Sequence, residues 1–176
     1  MGLSYLNLDT ETRNLMLSEI DLDISDMSIY ISSYLNEHGV HEWPNLTRLA
    51  AELHNDDWLA MQLNNQGLLL TQHKRRNPRG GGFTLAKVPI TAANTLSEAQ
   101  FNLYYIRALA IRASKEGAKL IVYRAKEVER PRPESELLIG SSFDAVKLLD
   151  ELRITKGVNP ASNIPLPNSG LTFKLG

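Results

Sequence analysis

Residues 95–117 read TLSEAQFNLYYIRALAIRASKEG, and this stretch decides the fold. Its apolar residues recur at helical spacing, so one face of the helix would be apolar along most of its length. A capping box is available at its start, either Thr95 with Glu98 or Ser97 with Gln100. Gly117 is a typical helix terminator. The pattern therefore predicts a central helix over about 97–116. Its predicted face consists of Phe101, Tyr104, Tyr105, Ala108, Leu109, Ile111 and Arg112.

The segments on either side of this helix predict strands. Residues 119–126 open on an apolar run rich in β-branched and aromatic side chains, and residues 83–88 form a shorter candidate. If the two strands share one sheet, the order is β-α-β and the crossover should be right-handed.

A further strand region is predicted near 20–33. Residues 20–24 alternate strictly between apolar and acidic side chains, and residues 28–32 alternate again beyond a turn at Asp26. Two alternating runs across a short polar link are typical of a β-hairpin. The helix before this hairpin should begin after Asp9, which can cap it, and end near Ile20.

The remaining elements are shorter helices. One begins with Pro44 in its first turn, and a second runs from Asp57 to about Asn64 after a cap at Asn55 or Asp56. A last helix covers about 143–153, and an irregular C-terminal arm rich in Pro and Gly starts near 156 and ends in a short strand at 171–175. Together these elements predict an α+β fold. It would be one compact domain over 1–176, with a small sheet packed against the central helix and several shorter helices.

Composition narrows the functional classes. A chain of 176 residues can bury a sizeable core in one domain. It contains no cysteine, which excludes disulfides, thiolate nucleophiles and Cys-ligated zinc. This fits a reducing compartment, and we expect a cytoplasmic protein. No apolar run approaches the ~20 residues that a membrane helix needs, so no membrane partner is expected.

The net charge of −1 hides an asymmetry. Residues 1–57 carry eleven acidic and two basic residues, whereas residues 58–176 are basic, with a net charge of +8. No Asp or Glu occurs between Asp57 and Glu98. The basic part could attract an anionic partner. Alternatively, the two parts could neutralise each other, within one chain or between neighbouring subunits.

The segment 73–82, HKRRNPRGGG, is unusual in composition. Its three glycines and one proline predict a loop at the tip of a long hairpin. Its cations could neutralise phosphates while the glycines let backbone N–H groups approach an anion. Phe83 is the one aromatic residue beside it. The alternative is a solvated loop tip whose charge maintains solubility. The candidate contacts are Lys74, Arg75, Arg76 and Arg79.

A second set of arginines lies on apolar elements. Arg107 and Arg112 belong to the predicted central helix and Arg124 to the strand after it. Because buried arginines need partners, we expect carboxylates from the acidic N-terminal part, such as Glu19, Asp21 or Asp23. The alternative is an anion clamp formed by Arg107 and Arg124. The edge of the strand, from 124 to 132, adds further candidate contacts to an anion: Arg124, Lys126, Arg130 and Arg132.

Motifs for catalysis or metal binding are weak. His38 and His41 flank Gly39 among acidic residues, but we expect a surface loop there rather than the helical His-Glu-x-x-His arrangement of metalloproteases. There is no Gly-x-Ser-x-Gly, no P-loop and no dinucleotide fingerprint. We expect no metal, no cofactor and no catalytic residue, and the pattern favours a protein that is not an enzyme.

Several stretches resemble small bacterial, phage and environmental proteins that have no assigned activity. The resemblance covers nearly the whole chain and implies no activity. It is carried by residues 5–9 with Thr12, Arg13, Met16 and Leu17, by Phe101, Asn102 and 105–109, by 122–126 with 131–133, and by 167–171.

Three functions are open at this stage. The pattern favours a non-enzymatic, phage-related binding protein whose basic loop and strand edge contact an anion such as nucleic acid. The second possibility is a self-assembling structural protein, a homo-oligomer in which the acidic part of one subunit meets the basic part of the next. The third and weaker one is an enzyme acting on a phosphorylated small molecule, with Arg107 and Arg124 as the anion clamp.

Overall fold

The structure is a computed structural model that describes residues 2–77, 80–158, 164–165 and 169–176. None of its helices, over that part of the chain, is long and apolar enough to cross a membrane. The elements in chain order are α1 (Thr10–Ser25), α2 (Glu37–Leu53), α3 (Asp56–Asn65), β1 (Gln72–Arg76), β2 (Phe83–Lys87), α4 (Ala92–Glu116), β3 (Leu120–Arg124), α5 (Pro133–Glu136), β4 (Ser142–Phe143), α6 (Ala145–Thr155) and β5 (Leu171–Leu175).

Helix α4 is the centre of the fold, as predicted. It packs against α1, α3 and α6 and against β5. It ends at Gly117, which adopts the left-handed conformation with φ of 67°. The predicted start was wrong, because the helix begins at Ala92 and leaves Ser97 fully buried inside it. Ala92 and Ala93 have high helix propensity and are themselves buried, so the helix gains core contact by beginning one turn earlier.

The predicted strand near 20–33 does not form. Helix α1 continues through residues 20–24 to Ser25. Its buried side chains are Thr12, Met16, Glu19, Ile20 and Asp23, which recur at the helical period. The alternation over 20–24 predicted the reverse, with Asp23 exposed and Leu22 inside. In the structure Asp23 is buried, because a buried cationic partner compensates its carboxylate. Leu22 is 41% exposed.

Residues 28–33 also lie outside any strand. The backbone N–H groups of Ser28 and Ile29 donate to the carbonyl of Asp23 and so complete the last turn of α1. Helix α2 then starts at Glu37, after Asn36, whose side chain accepts from the N–H of Gly39. Pro44 is therefore inside α2 rather than in a first turn, and His38 and His41 are helical rather than in a loop, contrary to prediction.

The described residues form two separate antiparallel sheets. One has the order β4-β3-β5, in which Leu120 pairs with Phe143 on one side and Leu175 on the other. The other is the two-stranded pair β1-β2. A β-α-β unit required β2 and β3 to share one sheet. They belong to different sheets, so this unit does not form. Strand β3 and the C-terminal strand β5 are confirmed.

Helices α3 and α6 agree closely with prediction. Asn55 caps α3 by accepting from the N–H of Trp58, and Asp144 caps α6 by accepting from the N–H of Lys147. Part of the predicted C-terminal arm lies outside the described residues. Its last strand, β5, is buried through Phe173 and closes the sheet against α4. The α+β fold around one long central helix is therefore confirmed.

A buried ion-pair network joins α1, α4 and the end of α6. Arg107 is fully buried on α4. Its Nε donates to Glu19 Oε2 at 2.7 Å and its Nη1 to Asp23 Oδ2 at 2.7 Å. Arg153 also donates to Glu19, and Lys156 Nζ donates to Asp23 Oδ1 at 2.6 Å. The predicted pairing of Arg107 with N-terminal carboxylates is confirmed.

The network keeps both carboxylates ionised. Burial by itself would raise the pKa of Glu19, but hydrogen bonds from Arg153 and Arg107 outweigh it and hold that pKa below its ordinary value. The pKa of Asp23 is likewise lowered, since bonds from Arg107 and Lys156 exceed the effect of burial. Two anions and three cations thus meet in one region between helices. Each carboxylate has more than one charged partner. The attraction to these partners offsets the free-energy cost of removing the carboxylate from water.

Arg112 gives a second link of the same kind between α4 and the N-terminal part. Its Nη1 lies 2.8 Å from Asp9 Oδ2, and its Nη2 lies 3.6 Å from Glu11 Oε2. Together with the Arg107 network, these pairs show that part of the acidic N-terminal segment is neutralised by cations later in the same chain.

We expect Arg107→Met to reduce the free energy of unfolding by about 3 kcal/mol or more, because two buried carboxylates would lose their shared partner. Urea denaturation at neutral pH measures this change. Arg48→Met is the matched control, since Arg48 makes a two-bond contact with Asp21 on the surface, where both side chains are largely exposed. Loss of that pair should cost about 1 kcal/mol or less. Equal effects of the two substitutions would contradict a structural role specific to the buried network.

Candidate nucleic-acid interface

Strands β1 and β2 form an exposed ribbon, residues 72–87 with 78–79 outside the described part. The register pairs Gln72 with Lys87, Lys74 with Leu85 and Arg76 with Phe83. Directly paired residues of an antiparallel ribbon lie on the same face, and successive residues alternate between faces. These six side chains therefore share one face. The name "ribbon face" is used below for Gln72, Lys74, Arg76, Phe83, Leu85 and Lys87.

The opposite side of the ribbon is turned toward the body of the protein at its base. His73 pairs with Ala86 there, and both are half-buried. The ring of His73 packs edge-on against Tyr34 with 4.7 Å between centroids. The N–H of Val88 donates to the carbonyl of Thr71 and closes the base of the ribbon. Because this side is anchored, the ribbon face is directed away from the body.

The ribbon face combines cations with apolar side chains that are open to solvent. All six of its residues are exposed, with Phe83 at 71% and Leu85 at 68%. Lys74, Arg76 and Lys87 contribute three positive charges. Arg75 adds a fourth from the other side, beyond the anchored base.

These charges are not neutralised nearby. No ion pair joins them to a carboxylate in the described ranges, and residues 58–97 contain no Asp or Glu at all. This contrasts with Arg107 and Arg112, each of which has a carboxylate partner from the N-terminal segment. Uncompensated cations beside exposed apolar groups can contact phosphates and bases together.

The structure places the residues of the predicted loop in different parts of the ribbon. Lys74, Arg75 and Arg76 belong to strand β1 rather than to a loop. Residues 68–70, before that strand, contribute only an isolated bridge from Leu69 to Leu35. Arg79 lies outside the described residues. Gly80, Gly81 and Gly82 follow at the tip, where a side chain at any of the three would meet no atom within 4 Å.

The strand-edge candidates have different surroundings. Arg124 is paired with Glu136 and also donates to the carbonyl of Ser169 at 3.3 Å. Lys126 Nζ lies 2.8 Å from Glu98 Oε2. Arg130 and Arg132 are exposed in the segment between β3 and α5. Arg124 and Lys126 therefore hold the fold together, and only the last two resemble the ribbon cations in exposure.

The two arginines of the proposed clamp have separate roles. Arg107 is fully buried and holds Glu19 and Asp23, while Arg124 holds Glu136. Neither guanidinium is left facing a cavity as an unpaired cation. An open cleft of about 540 Å³ lies beside Lys126, with Gly2, Asp57 and Glu127 also in its lining. Its two carboxylates make it a poor site for a phosphorylated compound.

His38 and His41 lie on the solvent side of α2 and share one carboxylate. His41 Nδ1 is 2.9 Å and His38 Nε2 is 3.8 Å from Glu42 Oε1. Over the described ranges, no group of three or more His, Asp or Glu side chains is arranged to hold a metal ion.

The apolar half of the ribbon face was not predicted from the sequence. Phe83 was identified only as the one aromatic residue beside the basic loop, and Leu85 and Lys87 were not among the candidate contacts. The signal that could have found it is the alternation of side chains along each strand. Once the strands pair, positions 72, 74 and 76 lie opposite 87, 85 and 83 in that order. This pairing could not be deduced while residues 73–82 were assigned to a loop.

Comparison of the chain with protein-family models, curated proteins and solved structures found no match. The resemblance to bacterial and phage proteins stays a prediction.

A separate titratable group lies under the open cleft. Asp56, the first residue of α3, is 2% exposed, and its Oδ2 accepts from the N–H of Leu3 at 3.0 Å. Its Oδ1 has no partner among the described residues. Burial raises the pKa of Asp56 to about 6, and the negative charges of Asp57 and Glu98 act in the same direction.

We expect Asp56 to make the fold less stable as pH rises from about 4 to about 6. The folded carboxyl keeps its proton up to a higher pH than the unfolded one, so the unfolded state binds fewer protons in this window. Between about pH 4.5 and 7.5 the loss should be on the order of 2 kcal/mol. Asp56→Asn should remove this part of the pH dependence, measured by urea denaturation at both pH values.

The control for this experiment is Asp26→Asn, at an exposed acid at the end of α1. It should keep the pH dependence of the unmodified protein. If Asp56→Asn leaves the difference between the two pH values unchanged, Asp56 is not the group responsible.

Proposed function

We propose that this protein binds nucleic acid through the ribbon face. The observation that carries the proposal is the composition of that face: Lys74, Arg76 and Lys87 are exposed and uncompensated, and they surround Phe83 and Leu85. Phosphates require the cations, and the hydrophobic parts of nucleotides can cover the apolar groups.

The geometry supports a binding role for the ribbon more than a structural one. Apart from the His73–Tyr34 contact and the Thr71–Val88 hydrogen bond at its base, the ribbon packs chiefly against itself. Its exposed side chains therefore add little to the core. A surface that folding does not require, and that concentrates one sign of charge, is suited to a charged partner.

Self-assembly through complementary charges receives less support. That alternative needs the acidic N-terminal part to be free for a neighbouring subunit. Glu19, Asp23 and Asp9 are instead engaged by cations of their own chain. The enzyme alternative relies on Arg107 and Arg124 as an anion clamp, and carboxylates of the same chain already occupy both guanidinium groups.

The test is fluorescence anisotropy with a single-stranded and a double-stranded DNA oligonucleotide over a series of salt concentrations. We expect binding to weaken steeply as salt rises. The triple substitution Lys74→Gln/Arg75→Gln/Arg76→Gln should weaken binding at least tenfold at low salt. It should also reduce the slope of log K against log salt by about 2, since up to three phosphate contacts are lost.

The matched control is Lys115→Gln/Lys119→Gln/Lys147→Gln, which removes the same charge from exposed positions on α4, immediately before β3 and on α6. It should keep most of the affinity and of the salt dependence. An equal loss in both triple variants would mean that net charge, rather than the ribbon, governs binding. Absence of salt-dependent binding to either oligonucleotide would overturn the proposal.

A further inference from the structure

We infer that the preferred ligand is a single-stranded nucleic acid, one of whose bases stacks on the ring of Phe83. The inference rests on the proposed function, because it assigns a strand form to the ligand of the ribbon face. It adds a role for the apolar side chains, which phosphate binding alone does not require.

Phe83 sits where a stacked base would be held from two directions. It pairs with Arg76 at the end of the ribbon nearest the tip, and opposite side chains in such a pair have Cβ atoms about 5 Å apart. The guanidinium can therefore contact the phosphate of a nucleotide, or lie against its base, while the ring offers a stacking surface. Phe83 has no other ring within stacking distance among the described residues.

The spacing of the cations fits an extended backbone. Lys74 and Arg76 are two residues apart on one strand, so they recur at about 7 Å along the ribbon. Leu85 lies opposite Lys74, one step from the Phe83–Arg76 pair. Lys74 and Arg76 thus line one strand, and Phe83 and Leu85 line the other with Lys87 beyond them. A nucleic-acid strand with a charged backbone and unstacked bases can follow this arrangement.

A double helix would use this face less completely. A two-stranded ribbon can enter the major groove, where cations reach phosphates and base edges. However, the bases of a duplex are stacked on each other, so no base surface is left for an aromatic ring. Phe83 and Leu85 would find only thymine methyl groups or remain exposed.

The experiment compares binding to oligo-dT, oligo-rU, a DNA hairpin duplex of equal charge and inorganic polyphosphate. We expect the unmodified protein to bind the two single strands more tightly than the hairpin. Phe83→Leu should weaken single-strand binding on the order of tenfold, since one base stack is lost. It should leave the salt slope and the affinity for polyphosphate unchanged, because polyphosphate has no bases.

Two further variants separate stacking from other causes. Phe83→Trp keeps an aromatic ring and should retain or increase single-strand affinity. Ile90→Ala removes an apolar side chain that is 97% exposed and lies beyond the ribbon face, so it should have no effect. Phe83 is exposed, and circular dichroism should show that each variant is folded.

The outcomes distinguish the two proposals. If the hairpin binds as tightly as the single strands, or if Phe83→Leu changes nothing while the lysine and arginine substitutions weaken binding, the stacking inference is overturned and the ribbon remains a phosphate-binding surface. If polyphosphate binds as tightly as oligo-dT and Phe83→Leu weakens neither, the ribbon recognises anions without reading bases, which also overturns the inference. If no polyanion binds, both proposals fail.

Discussion

The pairing of Arg107 with Glu19 and Asp23 is the constraint on which the helical part of the structure depends. Helix α4 places a guanidinium in the core, where it must be neutralised. Two carboxylates one helical turn apart on α1 neutralise it, which requires α1 to remain helical through Asp23. Arg153 and Lys156 then bind the same carboxylates and hold the end of α6 in place. A purely apolar contact would not define the register of these helices as narrowly, since charged groups tolerate few arrangements.

The charged residues of the chain therefore include two groups: those that are paired within the fold and those that are exposed on the ribbon. Many of the acidic residues of the N-terminal segment serve the fold, together with arginines and lysines from later elements. Among the described residues, Lys74, Arg75, Arg76 and Lys87 have no carboxylate partner, and residues 58–97 carry no acid. A net charge near zero is therefore compatible with a strongly basic local surface. The asymmetry along the sequence reflects internal neutralisation in one region and an open basic face in another.

The same division explains what could be predicted from the sequence. The central helix, β3, β5 and the caps of α3 and α6 follow from local patterns, and the partners of Arg107 followed from the need to neutralise a buried charge. The hairpin at 20–33 failed because strict alternation would put Asp21 and Asp23 on the solvent face of a strand, whereas Asp23 is buried by a partner 84 positions away. The ribbon was misplaced because the three glycines and one proline of 73–82 predicted a loop over the whole segment, although Lys74, Arg75 and Arg76 pair with β2. Its strand structure comes from cross-strand pairing, which single positions do not reveal.

Cations on a two-stranded ribbon can bind an anion or protect the open edges of the ribbon. Neither role explains the apolar side chains beside them. A two-stranded ribbon has two open edges, and exposed lysines and arginines discourage unwanted pairing with other chains. The edges would be protected equally well if positions 83 and 85 carried polar residues. Phe83 and Leu85 increase the risk of aggregation, and their exposure gives no compensating gain to the core. Their presence on the same face as the cations is therefore better explained by a ligand that has both negative charge and flat apolar surface, and nucleic acid has both.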